Sequence, residues 1–243
     1  VRAVARSEPE KQRAPCPPLA FTPAGGRVSG TVPAKRAGVL PRRTSIPAVP
    51  VGNFTWNWIL EPLMPRDPAL RCIAEGYSEF AAVLRMPWSS EEGWSAFQSL
   101  VDVPLVTPLQ STRSRDDILQ ELGLATKRNP IVLIAGRSQL SLRTLATAAA
   151  NCSDFDFLMN GNIGESLPPN IHGYSEQLAF SDALRASDVV LGKLGYSTAA
   201  QCVAEGKRPL YPERLGFREN EVLQDAVACE IPARQMRRSQ FFA

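Results

Sequence analysis

Nothing in the sequence approaches the roughly 20 consecutive apolar residues that a membrane-spanning helix requires. The first residues include Arg and Glu rather than an apolar core, so they predict no signal peptide. Charged residues make up 21% of the chain and the net charge is only +3, which gives no indication of a nucleic-acid partner. We therefore expect a cytoplasmic globular protein without a transmembrane segment.

Metal-binding side chains are equally scarce. His172 is the one histidine, and the 5 cysteines are scattered without a Cys-x-x-Cys pair, which is typical of reduced thiols and not of a disulfide framework or a zinc site. Asp154 and Asp156 imitate a carboxylate metal motif, but they fall at the start of a predicted strand, away from the edge where ligands bind. His172 falls near the mouth of a short strand, where a ligand contact is a minor alternative. The sequence thus predicts no metal and no cofactor.

Composition and periodicity divide the chain into four parts. Residues 1–45 are rich in Pro, Arg, Ala and Gly and predict an irregular or disordered tail. Residues 46–107 predict a small α/β unit, and residues 108–129 a polar linker that contains a helix. Residues 130–243 alternate between short apolar runs and helical patterns, which predicts a doubly wound parallel sheet.

The predicted elements of the first α/β unit follow from caps and breakers. Asn53 or Thr55 is a candidate cap for a helix near Trp56, and Asp67 followed by Pro68 predicts the start of a second helix. Strands are predicted at 48–52, 82–87 and 101–106, and Pro104 indicates an edge strand for the last of these.

The second α/β unit is more regular. Strands are predicted at 131–135, 155–159, 170–173, 188–191 and 209–211, and helices at 140–150, 177–185, 197–205 and 219–229. Ligands on such sheets bind beyond the carboxyl ends of the strands. The loops at Gly136, Gly192 and Pro212 all fall at that edge, so candidate binding residues are sought there.

The segment from Gly192 to Thr198 is the first candidate site. An apolar strand ends in Gly192, Lys193, Leu194 and Gly195, and Tyr196, Ser197 and Thr198 open a helix-prone segment. Glycine allows close backbone approach, the helix start supplies N–H donors, and Lys193 adds positive charge, so the segment suits a diphosphate. A plain glycine turn with a Ser/Thr cap explains the same pattern, and the spacing alone leaves both interpretations open.

A second turn of the same kind is formed by Gly136, Arg137 and Ser138, which follow the strand at 131–135. Every βα unit needs such a turn, so a purely structural role is the favoured alternative here. Gln201 lies one turn into the helix after Thr198, where its amide can reach ribose hydroxyls or project from the helix into solvent.

Two further groups suit a sugar. Phe217, Arg218 and Glu219 open the last helix, where a carboxylate either holds sugar hydroxyls or only complements the helix dipole. Asn53, Trp56 and Trp58 form an aromatic and amide cluster beside a strand end. That cluster either stacks on a base or sugar, or packs between sheet and cleft.

Four segments carry a family resemblance: residues 51–59 (VGNFTWNWI), 186–198 (ASDVVLGKLGYST), 209–211 (PLY) and 217–219 (FRE). They resemble GT-B glycosyltransferases of the family-28 kind, in particular bacterial members and the glycosyltransferase-like N-terminal region of plant L-arabinokinases. The resemblance extends over residues 46–229, about three quarters of the chain.

This resemblance implies two Rossmann-like domains that face each other across a cleft. The domain at 130–243 would bind a nucleotide-sugar, usually UDP-linked, and the part at 46–107 would face the acceptor. By position, Gly136 to Ser138 and Gly192 to Thr198 would line the nucleotide and diphosphate, Gln201 the ribose, and Phe217 to Glu219 the donor sugar. The family transfers a hexosyl group without a metal, and a sugar kinase is an expected partner or fusion.

The chain also departs from the family pattern. The opening strand and its glycine-rich turn are not found, so the N-terminal domain is expected to be incomplete and the catalytic residue stays unknown. Gln201 stands where the family has Glu, and the Gly136 turn has one glycine where the family tends to have two. Residues 234–243 also differ. The expected function is therefore glycosyl transfer or, alternatively, sugar-nucleotide binding without turnover.

Overall fold

The computed structural model of the chain describes residues 49–126, 128–136, 142–161, 167–175, 177–237 and 239. Within these residues the strands form a three-stranded and a six-stranded sheet, and every strand pair is parallel. The tail predicted for residues 1–45 lies outside the described residues. No helix in the described ranges is both long enough and apolar enough to cross a membrane.

The first half of the described chain contains β1 (Val51–Gly52), α1 (Trp56–Leu60), α2 (Pro68–Ser78), β2 (Val83–Arg85), a 3₁₀-helix (Glu91–Trp94), β3 (Leu100–Asp102) and α3 (Arg115–Glu121). The second half contains β4 (Ile131–Ala135), α4 (Leu142–Ala150), β5 (Asp156–Asn160), β6 (Ile171–Tyr174), α5 (Phe180–Ala186), β7 (Val189–Gly192), α6 (Tyr196–Glu205), β8 (Arg208–Pro212), α7 (Arg218–Glu230) and β9 (Arg234–Met236).

The three-stranded sheet has the order β1-β2-β3. Its edge strand β3 ends at Asp102, before Pro104, as expected for a proline that cannot donate to a sheet. The Asp67 carboxylate accepts a hydrogen bond of 2.8 Å from the Ala69 N–H, so the predicted cap of α2 is confirmed. Thr55 is the N-cap residue of α1, as predicted, but its side chain makes no capping hydrogen bond. The Thr55 hydroxyl instead donates to the Gly93 carbonyl at 2.6 Å and connects α1 to the 3₁₀-helix.

The six-stranded sheet has the order β6-β5-β4-β7-β8-β9. The chain runs outward from β4 to β6, returns to the other side of β4, and runs outward again from β7 to β9. The predicted doubly wound arrangement is therefore confirmed, and its direction changes between β4 and β7. Strand β9 was not predicted, because Arg234 and Gln235 are exposed at the sheet edge and show no apolar pattern.

Strand β4 forms the centre of the core. All five of its residues are buried, because helices cover both faces of a doubly wound sheet. Leu133 packs with Ile118 of α3 and Leu184 of α5 on one face. Ile134 packs with Ala149 of α4 on the opposite face.

The amino ends of the strands are fixed by charged side chains. The Asp188 carboxylate accepts from the Ile131 N–H at 2.8 Å and pairs with Arg115 at 3.0 Å. The Lys207 ammonium donates to the carbonyls of Arg185 and Ser187 at 3.0 and 2.8 Å. Burial lowers the pKa of Lys207, which fits its position beneath α5. These contacts hold the sheet rigid at the edge opposite the candidate site.

The close contact of β4 with β7 gives a first prediction. A Cβ atom on Gly192 would lie 2.2 Å from the Ala135 carbonyl oxygen, a distance that the strand pair cannot accept without moving apart. Gly192→Ala should therefore lower the free energy of unfolding by roughly 1–3 kcal/mol in urea denaturation. Gly195→Ala is the matched control, because its φ is −118° and its Cβ would meet only Lys193 Cε at 3.6 Å. An equal loss in both variants would contradict this explanation.

Candidate functional site

The two predicted glycine turns lie side by side. Ala135 of β4 pairs with Gly192 of β7, so the turns that follow both strands leave the same edge of the sheet at adjacent positions. Gly136 has φ +95°, a conformation that favours glycine. Arg137 and Ser138 lie outside the described residues. The turns flank the point where the strand order reverses, which is where ligands bind in open α/β sheets.

The N-cap residue of the helix after the second turn makes no capping hydrogen bond with a side chain of its own. Tyr196 is the first residue of α6 and Gly195 is its N-cap, so Ser197 and Thr198 lie inside the first turn and do not cap it. The structural alternative of a Ser/Thr cap is therefore wrong. Lys193 is exposed beside this helix start. The arrangement leaves backbone N–H groups and a positive helix end directed to the crevice.

Glu219 supplies the carboxylate at this helix start. Its Oε1 atom accepts a hydrogen bond of 3.3 Å from the Tyr196 N–H, although Glu219 belongs to the first turn of α7. The side chain is 8% exposed. Burial raises the pKa of Glu219, while the Asn53 amide, the Tyr196 N–H and the charges of Arg214 and Lys193 each lower it. Glu219 is thus a buried acceptor at the meeting point of two helices.

A narrow cleft lies between the two sheets and joins two predicted groups of site residues. The narrow cavity there is lined by residues that include Asn53, Trp58, Trp88, Ser90 and Glu219. Asn53 follows β1 and Trp58 lies in α1, next to the three-stranded sheet, whereas Glu219 lies in α7, next to the six-stranded sheet. The predicted aromatic and amide cluster therefore faces the predicted sugar-binding carboxylate.

Two buried donors in this cleft lack a partner. Trp58 is 8% exposed, and its indole N–H makes no hydrogen bond. Asn53 is 6% exposed, and its Nδ2 atom has no partner of good geometry, although it lies close enough to Glu219 to lower that carboxyl's pKa. Unsatisfied buried donors are costly and call for an explanation such as a ligand. Hydroxyl oxygens of a sugar would satisfy both donors.

Arg218 connects the two sheets. Its guanidinium donates to the Trp58 carbonyl at 3.1 Å and pairs with the Glu61 carboxylate at 2.6 Å. The rings of Trp88 and Tyr196 add a contact with centroids 5.6 Å apart. Arg218, predicted to face the donor sugar, is thus engaged in holding the cleft together.

The other predicted residues take varied positions. The Arg214 guanidinium lies over the Phe217 ring, with its Cζ atom 3.9 Å from the ring centroid. Trp56 is 41% exposed and makes an edge contact with Phe54. Trp56 does not line the described cavity. Gln201 is only 8% exposed, so the alternative of a solvent-exposed helix residue is wrong.

The predicted carboxylate motif and the histidine lie elsewhere. Asp156 is fully buried at the amino end of β5, and Asp154 precedes the strand. The Asp156 carboxylate pairs with His172 Nε2 at 2.6 Å across β5 and β6. His172 is therefore at the amino edge and not at the mouth where it was expected. This pair ties two neighbouring strands together, far from the glycine turns.

Trp88 is a site residue that the sequence analysis missed. It follows β2 at the carboxyl edge of the small sheet, has φ +60°, and lines the cleft. A positive φ in a bulky residue is strained and often marks a functional site. The available signal was an aromatic residue directly after a predicted strand and Pro87.

Comparison with known sequences shows a partial likeness to a curated protein. No protein-family model matches the chain. L-arabinokinase of Arabidopsis thaliana is 29% identical over 185 residues, which cover 74% of this chain and 17% of that protein. The chain therefore spans less than a fifth of the length of this curated relative.

Solved glycosyltransferases share the architecture. Spinosyn forosaminyltransferase SpnP superposes with a TM-score of 0.53 at 14% identity, over 84% of this chain and 60% of that chain. The glycotransferase of kitacinnamycin gives a TM-score of 0.49 at 13% identity, over 84% of this chain and 61% of that chain. The superposition on SpnP shows the fold. The chain has the GT-B-like arrangement of parallel α/β sheets.

Proposed function

We propose that the chain binds a nucleotide-sugar, UDP-linked, and transfers its hexosyl group to an acceptor hydroxyl. One observation carries this proposal. The crevice between β4 and β7, where the Glu219 carboxylate accepts from the first N–H of α6, adjoins a cleft that presents buried unpaired donors and this same buried carboxylate. The crevice suits an anion, and the cleft suits a group rich in hydroxyls.

The diphosphate is assigned to the segment from Gly192 to Thr198. The N–H groups of the first turn of α6 and the positive helix end favour phosphate oxygens, and exposed Lys193 adds a point charge. The same groups would stabilise the diphosphate as it leaves the sugar, because negative charge develops there in the transition state. No metal is needed for this step.

The nucleoside is assigned to the neighbouring turn and helix. Gly136 would border the base and ribose, and the buried Gln201 amide would bond a ribose hydroxyl. An amide both donates and accepts, so it can hold a hydroxyl without the charge that a carboxylate brings.

The donor sugar is assigned to the cleft beside Glu219. The carboxylate only accepts hydrogen bonds, whereas Asn53 Nδ2 and Trp58 Nε1 donate them. Together they match hydroxyl groups, which do both. Phe217 adjoins Glu219 in sequence and would border the same ring.

Ligand entry requires the two sheets to separate. The cavity in this cleft is too narrow to admit a water molecule, whereas usual ligand pockets measure roughly 300–1,000 Å³. The contacts of Arg218 with Trp58 and Glu61 would have to break or shift. Closure over the ligand would then exclude water from the reacting bond.

The second candidate function is sugar-nucleotide binding without turnover, as a module of a larger sugar-kinase assembly. Among the described residues that line the cleft, Glu219 is the one titratable group, and it belongs to the six-stranded sheet. The small sheet contributes amide, hydroxyl and aromatic groups there, none of which is a strong base. The name of the relative, L-arabinokinase, supports a sugar kinase as fusion or partner.

Calorimetry followed by a turnover assay separates these functions. UDP and UDP-glucose are titrated into the protein, and UDP release is then measured with a panel of acceptor sugars. Binding with acceptor-dependent release supports transfer, and binding without release supports the module. Failure of both ligands to bind would refute both functions.

Removal of the Lys193 charge tests the diphosphate assignment. Lys193→Ala should weaken UDP-glucose binding roughly tenfold, because a charge-assisted contact to phosphate is lost, and should leave uridine binding unchanged. Arg208→Ala is the matched control, since Arg208 is an exposed cation at the amino end of β8, on the opposite edge. Equal loss for UDP-glucose and uridine would remove Lys193 from the diphosphate site.

A further inference from the structure

The carboxylate of Glu219 occupies the start of α6, to which the proposed function assigns the diphosphate. It accepts a hydrogen bond from the N–H of Tyr196, the first residue of α6. The N-cap residue of this helix, Gly195, has no side chain that could accept that bond. We propose that Glu219 makes the site select an intact nucleotide-sugar over the free nucleoside diphosphate, because its carboxylate returns to the α6 start when no sugar holds it away. This inference rests on the proposed nucleotide-sugar function.

Electrostatics explains why the carboxylate and a terminal phosphate exclude each other. The start of a helix carries only a partial positive charge, which one anion satisfies. Glu219 is 92% buried, so its charge is poorly screened by water. Arg214 and Lys193 act on this carboxylate already, since their charges lower its pKa. A free diphosphate ends in an anionic phosphate directly beside it and therefore meets repulsion.

A bound sugar changes this balance. Its hydroxyls can donate to the Glu219 carboxylate, which accepts only, and their oxygens can accept from Asn53 Nδ2 and Trp58 Nε1. These two donors are more than nine-tenths buried and line the same cavity as Glu219. The sugar thus separates the carboxylate from the phosphate and pairs the buried donors. Loss of the sugar on transfer restores the repulsion and favours release of the diphosphate product.

Calorimetry with UDP and UDP-glucose tests the role of Glu219. Glu219→Gln keeps the shape and an accepting oxygen but removes the charge, so UDP should bind roughly tenfold more tightly than to the unmodified protein. UDP-glucose should bind no more tightly, and the preference for it should shrink by at least that factor. Glu221→Gln is the matched control, because Glu221 lies exposed in the same helix turn. It should leave both affinities unchanged.

The outcomes separate this inference from the proposed function. Unchanged UDP affinity in Glu219→Gln, or an equal change for both ligands, overturns the selection role and leaves nucleotide-sugar binding intact. Absence of binding in all three proteins overturns both. Folding is checked by circular dichroism, and Glu219→Ala replaces the amide variant if the latter does not fold.

The pH dependence gives an independent readout. Burial raises the pKa of Glu219 above its ordinary value, and the groups that face it are Arg214, Lys193, Asn53 and the Tyr196 N–H. As the pH falls through this pKa, the carboxyl takes up a proton and loses its repulsion. UDP affinity of the unmodified protein should therefore approach that of Glu219→Gln at acidic pH, and Glu221→Gln should follow the unmodified protein. If the difference in UDP affinity between the unmodified protein and Glu219→Gln stayed constant across the pH series, this role of Glu219 would be refuted.

Discussion

The close approach of β4 to β7 is the constraint on which the rest of the molecule depends. Gly192 lies against the Ala135 carbonyl, where no side chain fits. This contact sets the two central strands at the reversal of strand order, and it brings both glycine turns to one crevice. The buried strand β4 and the charged contacts at the opposite edge keep that geometry fixed. A rigid sheet thereby positions a backbone site made of turns and a helix start.

Glu219 connects this backbone site to the cleft. It belongs to α7, accepts from the first N–H of α6, and lines a cavity with Asn53 and Trp58 of the other sheet. Three separate chain segments therefore meet around one buried carboxylate. Its surroundings include Arg214, Lys193 and the start of α6, and also the amide and indole groups of Asn53 and Trp58. The division matches a ligand in which an anionic part is joined to a polyhydroxylated part.

The sequence analysis predicted the elements whose signals are local. The apolar run at 131–135 and the helix start at Asp67 and Pro68 both depend on neighbouring residues. Features that depend on tertiary contacts were missed: the Thr55 hydroxyl bonds the distant Gly93, and exposed β9 has no apolar pattern. The candidate site shows the same difference between local signals and tertiary contacts. Its turns were found from spacing, but the meeting of Glu219 with Tyr196 and Trp88 depends on how the sheets pack.

The bridge from Arg218 to Glu61 bears on the opening of the cleft that is proposed for ligand entry. The two side chains are 31% and 53% exposed, and such ion pairs contribute about 1 kcal/mol or less. Salt screens them, so the contact breaks more often as ionic strength rises. The Trp58 carbonyl and the Trp88 and Tyr196 rings are not screened in this way. The contacts that join the two sides of the cleft are therefore of two kinds. The ion pair weakens as the salt concentration rises, and the packing of the aromatic rings does not.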